Sequence, residues 1–285
     1  MIEYRKLTHE DYDDIADICK DIWDGTDYLP EVFHKWVDDK GLFLGAVDTD
    51  TNKVVGTDKY SLLYDGTGWL EGLRIHKDYR GLGIGKKIAI RTFKKALEDL
   101  RSGKTNKIAF ATHISSVESI NLMKKFGFRL RQEYKFIYKD YSDADNSLSI
   151  EDFDVESWKP SYEEFANLSY LKRRDGILPF VFYFQKPTFE LYEELLKENS
   201  FVSINGYKGL FKLRGEPNFI VFDESLEGIN DFMNYYLLAL GGKFPAPPMT
   251  SVMPKDKELI RALNAAGFGM MDLSTCDYLY YTYEE

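Results

Sequence analysis

Arg80-Gly81-Leu82-Gly83-Ile84-Gly85 is the stretch on which the fold turns. A residue without a Cβ takes up left-handed backbone at little cost and lets a ligand come close to the main chain. Before it, Trp69-Leu70-Glu71-Gly72-Leu73-Arg74-Ile75 reads as a strand; after it, Ile88, Ala89, Phe93, Ala96, Leu97 and Leu100 fall on one helical face. A strand therefore passes through a glycine turn into a helix near Gly85, whose first amides face outward at the positive end of the helix dipole. A pyrophosphate fits such a place, and Arg80 can add a charge-assisted hydrogen bond. Two other glycine motifs are excluded. G-x-G-x-x-G needs a glycine at 86, where Lys86 stands, and an acidic ribose ligand; a P-loop needs Ser or Thr after Gly85-Lys86, where Lys87 stands. A purely structural turn is the remaining alternative at this level.

Working outward, Ile2 to Leu7 is extended and runs into Thr8-His9-Glu10-Asp11, a T-x-x-D helix opening. Ile15, Ile18, Cys19 and Ile22 form one apolar stripe, so Cys19 reads as a core residue. Leu42 to Val47 and Val54 to Leu63 predict a hairpin around Asp48-Thr49-Asp50-Thr51-Asn52. Lys107 to Thr112 is a further strand, Glu118 to Phe126 a helix stopped by Gly127, and Phe128 to Tyr141 extended. This succession predicts an α/β (α+β) class with a mixed central sheet flanked by helices. The acidic stretch from Ser142 to Asp154 sets a boundary, giving domains 1–145 and 146–285. Beyond it, strands are expected at Phe180 to Phe184, Phe201 to Ile204 and Phe219 to Phe222, and helices at Phe189 to Lys197 and Ile229 to Leu240. Gly206-Tyr207-Lys208-Gly209 and Gly241-Gly242 read as isolated turns, Pro245 to Pro248 as a rigid connection. Glu258, Ile260, Gly267 and Phe268 repeat the spacing of Glu118, Ile120, Gly127 and Phe128, each set leading into a tyrosine-rich strand.

The 285 residues are 44% hydrophobic and 15% aromatic, which excludes a disordered chain. With 37 basic and 47 acidic side chains the net charge is −10, so there is no cationic excess for nucleic acid. Cys19 and Cys276 stand far apart, with neither a disulfide framework nor a metal motif around them. The charged start and the want of a long apolar run point to a cytoplasmic protein without membrane or metal partners, monomeric or homodimeric.

R-x-x-G-x-G at a strand-to-helix junction, preceded by Ile75-His76-Lys77-Asp78-Tyr79 and followed by a helix ending in Gly127-Phe128, resembles the GNAT acetyltransferase superfamily over residues 1 to 140. The resemblance implies a GNAT fold and acetyl-CoA as cofactor. Arg80, Gly81, Gly83, Ile84, Gly85 and Lys86 would then hold the pyrophosphate, and the backbone of Leu73, Arg74 and Ile75 would meet pantetheine and the thioester carbonyl. Asp27-Tyr28-Leu29-Pro30, His34, Trp36 and Glu71-Gly72-Leu73-Arg74 look like the histidine N-acetyltransferase-like branch, which implies a free amino acid as the small-molecule amine substrate. The second domain, with no R-x-x-G-x-G, would be a degenerate GNAT-like copy.

Amide formation needs the acceptor amine neutral, hence a base. Glu71, on the strand that would flank the thioester, is the expected base, and His113 its rival. On the acceptor side, Asp27 is expected to hold an ammonium and Tyr28 or Trp36 to cover a ring, with His34 nearby; core packing of Trp36 and a turn role for Asp27 are the alternatives. The tyrosine that protonates the leaving thiolate in many members is replaced by Met123, which leaves Tyr134 or water for that step, or a thiolate that departs unprotonated. A polyamine or protein-lysine acceptor, or a coenzyme-binding sensor without turnover, are the alternative functions.

Overall fold

The computed structural model describes residues 1–180, 182–213, 217–244, 246–270 and 275–283. Strand β1 (Ile2–Lys6) pairs antiparallel with β2 (Gly41–Asp48), β2 with β3 (Lys53–Leu62) and β3 with β4 (Thr67–Ile75). β4 then runs parallel to β5 (Lys107–His113). A parallel neighbour requires a crossover, and α3, below, provides it. The alternation in β2 decides the layering. Phe43 and Val47 point to the face covered by α1 (Tyr12–Cys19) and α2 (Leu29–Asp38), among Ile15, Ile18, Cys19, Val32 and Phe33. Leu44 and Ala46 point to the other face, covered by Ile84 and Ile88 of α3 (Ile84–Arg101). A sheet buried on both faces reads as a continuous apolar run, as Leu42 to Val47 does.

Helix α4 (Val117–Lys125) ends in Gly127 at φ 99°, and the strand β6 (Arg129–Tyr138) follows. The second half begins with β7 (Val155–Glu156), the short helices α5 (Tyr162–Ala166) and α6 (Ser169–Lys172), and a small hairpin of β8 (Leu178–Phe180) and β9 (Tyr183–Gln185). The single strand expected over Phe180 to Phe184 is thus two, separated by a turn with Phe182 at φ 62°. After α7 (Phe189–Lys197), β10 (Phe201–Ile204), β11 (Tyr207–Lys212) and β12 (Asn218–Val221) pair antiparallel in succession. Helix α8 (Leu226–Leu240) follows, β13 (Met249–Val252) lies parallel to β12, and α9 (Lys257–Ala265) leads towards β14 (Tyr278–Tyr283).

The isolated turn expected at Gly206 to Gly209 is corrected: Asn205 and Gly206 turn the chain, but Tyr207 onward is strand. Gly209 is there because a Cβ would stand 2.1 Å from the Ile220 carbonyl oxygen. Gly241, at φ 54°, caps α8. Pro245, the first residue of the expected rigid connection, lies outside the described residues.

By packing, the chain divides into two units, 1–110 with 118–129 and 281–285, and 111–117 with 130–280. The acidic stretch at which the sequence sets a boundary lies inside the second unit, and the end of β14 belongs to the first. There Tyr281 stacks on Phe110 at 5.0 Å and Tyr283 meets Phe93 edge-on at 5.3 Å.

Candidate active site

The glycine loop has left-handed backbone at two of its glycines. Gly81 and Gly83 have φ of 78° and 74°, and a Cβ built on either meets nothing within 4 Å. Their missing side chains therefore face open space, which leaves a ligand room to approach the backbone. Gly83 caps α3 and offers no side-chain acceptor to its first amides; the first helical bond is Lys87 N–H to the Gly83 carbonyl, 3.2 Å. The first turn holds no acidic residue, while Lys86 and Lys87 are exposed in it. Cations at this end work against the helix dipole by about 0.3–1 kcal/mol each. A Cβ built on Gly85 would instead stand 3.4 Å from Ile75 Cγ1, and Arg80 Nε donates to the Ile75 carbonyl at 3.1 Å.

Strand β4 carries a bulge. Gly56–Thr57 pair with Ile75–Arg74, but Lys59 pairs with Glu71, so Asp58 alone stands opposite Gly72 and Leu73. Gly72 has φ 72°, the left-handed conformation such a bulge needs, and a Cβ there would collide with Trp36, 2.7 Å away. One extra residue resets the alternation. Glu71 shares the face of Lys59 and Arg74 that of Thr57, so Glu71 and Arg74 come to the same side of the sheet. β4 pairs with β5 only from Thr67 to Trp69, so from Leu70 onward the two strands are not joined by ladder bonds.

On that side Ser61 Oγ donates to Glu71 Oε1 at 2.6 Å. Asp27 does not stand open for an ammonium: its carboxylate is fully buried and takes Arg74 Nε at 2.7 Å and Nη2 at 3.2 Å, while also accepting the Leu29 amide that opens α2. Burial alone would ease the proton off Arg74, but the Asp27 hydrogen bonds and charge outweigh it and hold the guanidinium still more firmly protonated. Trp36 is core, 1% exposed, edge-on to Phe43 and Tyr28. It cannot cover a substrate ring. Tyr28 stays half-buried and stacks on Trp23 at 6.4 Å. Trp23, which the sequence pattern did not flag, is 52% exposed, sits at φ 47° and lies 4.7 Å beneath the Arg74 guanidinium carbon. Its signal was an apolar residue outside every helical or strand period. His34 lies on the surface of α2, its Nδ1 2.9 Å from that of His9, which in turn meets Asp38 at 3.0 Å.

Asp58 was also missed. It is buried on the opposite face, against Thr92 of α3, and burial pushes its carboxyl up to about 7. His113 falls in the second unit. Its Nδ1 is engaged by Ser115 Oγ at 2.7 Å, and burial lowers its imidazole against the pull of Asp277. Tyr134 is fully buried, its hydroxyl donating to Gln132, and burial pushes its pKa up. Met123 is buried in α4. Among the described residues no group of three His, Cys, Asp or Glu gathers as metal ligands would, and no helix is long and apolar enough to cross a membrane.

Residues 8–128 match the model of the Acetyltransferase (GNAT) family. Over 84 residues, 29% of this chain, the sequence is 31% identical to a histidine N-acetyltransferase of Oreochromis niloticus, a match that spans 25% of that relative's length. A GCN5-related N-acetyltransferase from Sphaerobacter thermophilus is similar over 99% of this chain and 95% of its own, with TM-score 0.64 and 13% identity. The glucosamine N-acetyltransferase region of a fungal multi-domain β-N-acetylglucosaminidase is similar over 99% of this chain and 38% of that chain, with TM-score 0.60 and 14% identity. At such identities the likeness is one of fold. Residues 8–128 are thus similar to the Acetyltransferase (GNAT) family, and the solved structures share the fold of the chain.

Proposed function

We propose that the chain is an acetyl-CoA-dependent N-acetyltransferase acting on the amino group of a small molecule, with a free, histidine-like amino acid as acceptor. The observation that carries it is the start of α3: left-handed glycines backed by open space, no side-chain cap, and lysines where a helix ordinarily wants acids. The amides from Gly83 to Lys86, with Lys86 and Arg80, would hold the diphosphate. When bound, the coenzyme supplies an activated acetyl thioester. The backbone of Leu73, Arg74 and Ile75 lies past the last ladder bond between β4 and β5 and would align that group. Glu71, on the same strand, takes the proton of the acceptor ammonium; His113, in the other unit with Nδ1 engaged, is not used. Holding both reactants in one place can supply up to roughly 7–11 kcal/mol of the barrier.

The free amino acid rests on the 84-residue similarity to a histidine N-acetyltransferase. The second unit repeats the order antiparallel pair, strand, long helix, parallel strand, helix, strand, which supports a degenerate second copy. Both cysteines are free thiols, in keeping with a reducing compartment such as the cytoplasm. Calorimetry with coenzyme A and thiol release with a panel of amino acids, polyamines and lysine peptides test the reading. Coenzyme binding with acceptor-dependent release from amino acids is expected; binding without release from any acceptor supports the sensor, and no binding removes the coenzyme altogether.

A further inference from the structure

The guanidinium of Arg74 has five N–H donors, and the structure accounts for three. Nε and Nη2 grip Asp27 side-on, and Nη1 donates to the Leu73 carbonyl at 3.2 Å. One donor is left over on each Nη, and the end-on edge that spans the two Nη has the shape to match a second carboxylate in the same plane. We propose that this edge of Arg74, fixed by Asp27 and floored by Trp23, is the element that recognises the acceptor's carboxylate. The inference rests on the acetyltransferase reading and names the group by which its acceptor is chosen.

Three observations favour it. Asp27 is fully buried and Arg74 is 13% exposed, so the pair is a rigid mount whose orientation is set before any ligand arrives. Trp23 is half exposed in left-handed backbone, a conformation a bulky residue adopts only where its surroundings impose it; it stacks beneath the guanidinium and against Tyr28. Glu71 reaches the same face because of the bulge at Gly72. An anion and a cation on one face suit a zwitterion, whose ammonium goes to Glu71 and carboxylate to Arg74. A polyamine or a lysine side chain would leave the Arg74 edge without a partner and bring a cation beside it.

The test compares L-histidine with histidinamide and histamine, which keep the amine and lose the anionic carboxylate. kcat/KM and calorimetric affinity are read for wild type and for Arg74→Gln combined with Asp27→Asn, which removes both buried charges together and avoids leaving one unpaired. Wild type is expected to favour L-histidine at least about tenfold, a charge-assisted hydrogen bond being worth roughly 1.5–3 kcal/mol. The double variant should lose that preference through KM. Arg74→Lys, a point charge without a fork, should keep only part of it. Equal use of L-histidine and its amide by wild type overturns the proposal, as does a preference that survives in the double variant. If no amine is acetylated yet L-histidine still binds better than its amide in an Arg74-dependent way, the carboxylate site stands and the acetyltransferase reading falls.

Discussion

Helices α3 and α8 occupy the same place in the order of their units, after a run of antiparallel strands and before a parallel one, yet they begin in opposite ways. Ser225 caps α8, its Oγ accepting from the Gly228 amide at 3.1 Å, Asp223 steadies Ser225, and Glu227 lies in the first turn. That helix satisfies its own positive end. α3 has a left-handed glycine and lysines there, and no side-chain cap. The other end of the comparison is one of likeness. Phe128 and Phe268 donate their amides to Met123 and Leu263 at 3.1 Å each, and Gly127 and Gly267 make matching bonds to Lys124 and Asn264. A capped helix end serves stability whether or not a ligand is bound nearby.

The largest effect expected from breaking this contrast is at Glu71, since β12 offers Asn218, Phe219, Ile220 and Val221 and no carboxylate. Glu71→Gln should lower turnover about 10²- to 10⁴-fold with coenzyme affinity intact, measured by thiol release and calorimetry; full activity would remove it as base.

Buried carboxylates give the next effect. Glu224 of the second unit is paired with Arg174 and Arg173, whereas Asp58 has no ion-pair partner among the described residues. Its carboxyl is raised by burial from 3.8 to about 7, so its contribution to stability is complete below pH about 3.8, fades as pH rises, and is lost above about 7. At about 1.4 kcal/mol per unit this amounts to roughly 4 kcal/mol at most. Asp58→Asn, which mimics the protonated form, should flatten the pH dependence and raise the melting temperature at pH 8 but not at pH 4. An unchanged profile would mean that Asp58 titrates as in the unfolded chain.

Gly83→Val should weaken coenzyme binding by at least about tenfold and cost about 1–2 kcal/mol of backbone strain. Gly83→Ser with Lys86→Glu, which gives α3 a start like that of α8, should weaken it too; unchanged affinity in both would equate the two helix starts. The smallest effect is on the other side. Ser225→Ala should cost about 1 kcal/mol in denaturant titration and leave coenzyme affinity alone.

Much of the first unit was legible because its strands and helices each show one period. Phe43 and Val47 against Leu44 and Ala46 dictate a sheet covered on both faces, and the glycine loop sits at an unambiguous junction. The site was legible in its loop and less so in its acceptor side. Asp27 could not be matched to a partner 47 residues away, and Gly72 looks like any strand glycine until the register shows the bulge. Trp36 was misread because an aromatic at helical spacing looks the same whether it faces a ligand or a neighbouring strand. In the second unit, α5 and α6 span 5 and 4 residues, too short to establish a period.

Tyr281 and Tyr283 carry a further consequence, in time. The ribosome makes them only after the whole of residues 130–280, yet their rings fill space beside Phe110, Phe93 and Phe128. The half of the molecule that emerges first must therefore wait, with one edge of its sheet bare, until the final strand arrives. A nascent chain halted near 145 would present that edge to chaperones or to its own copies.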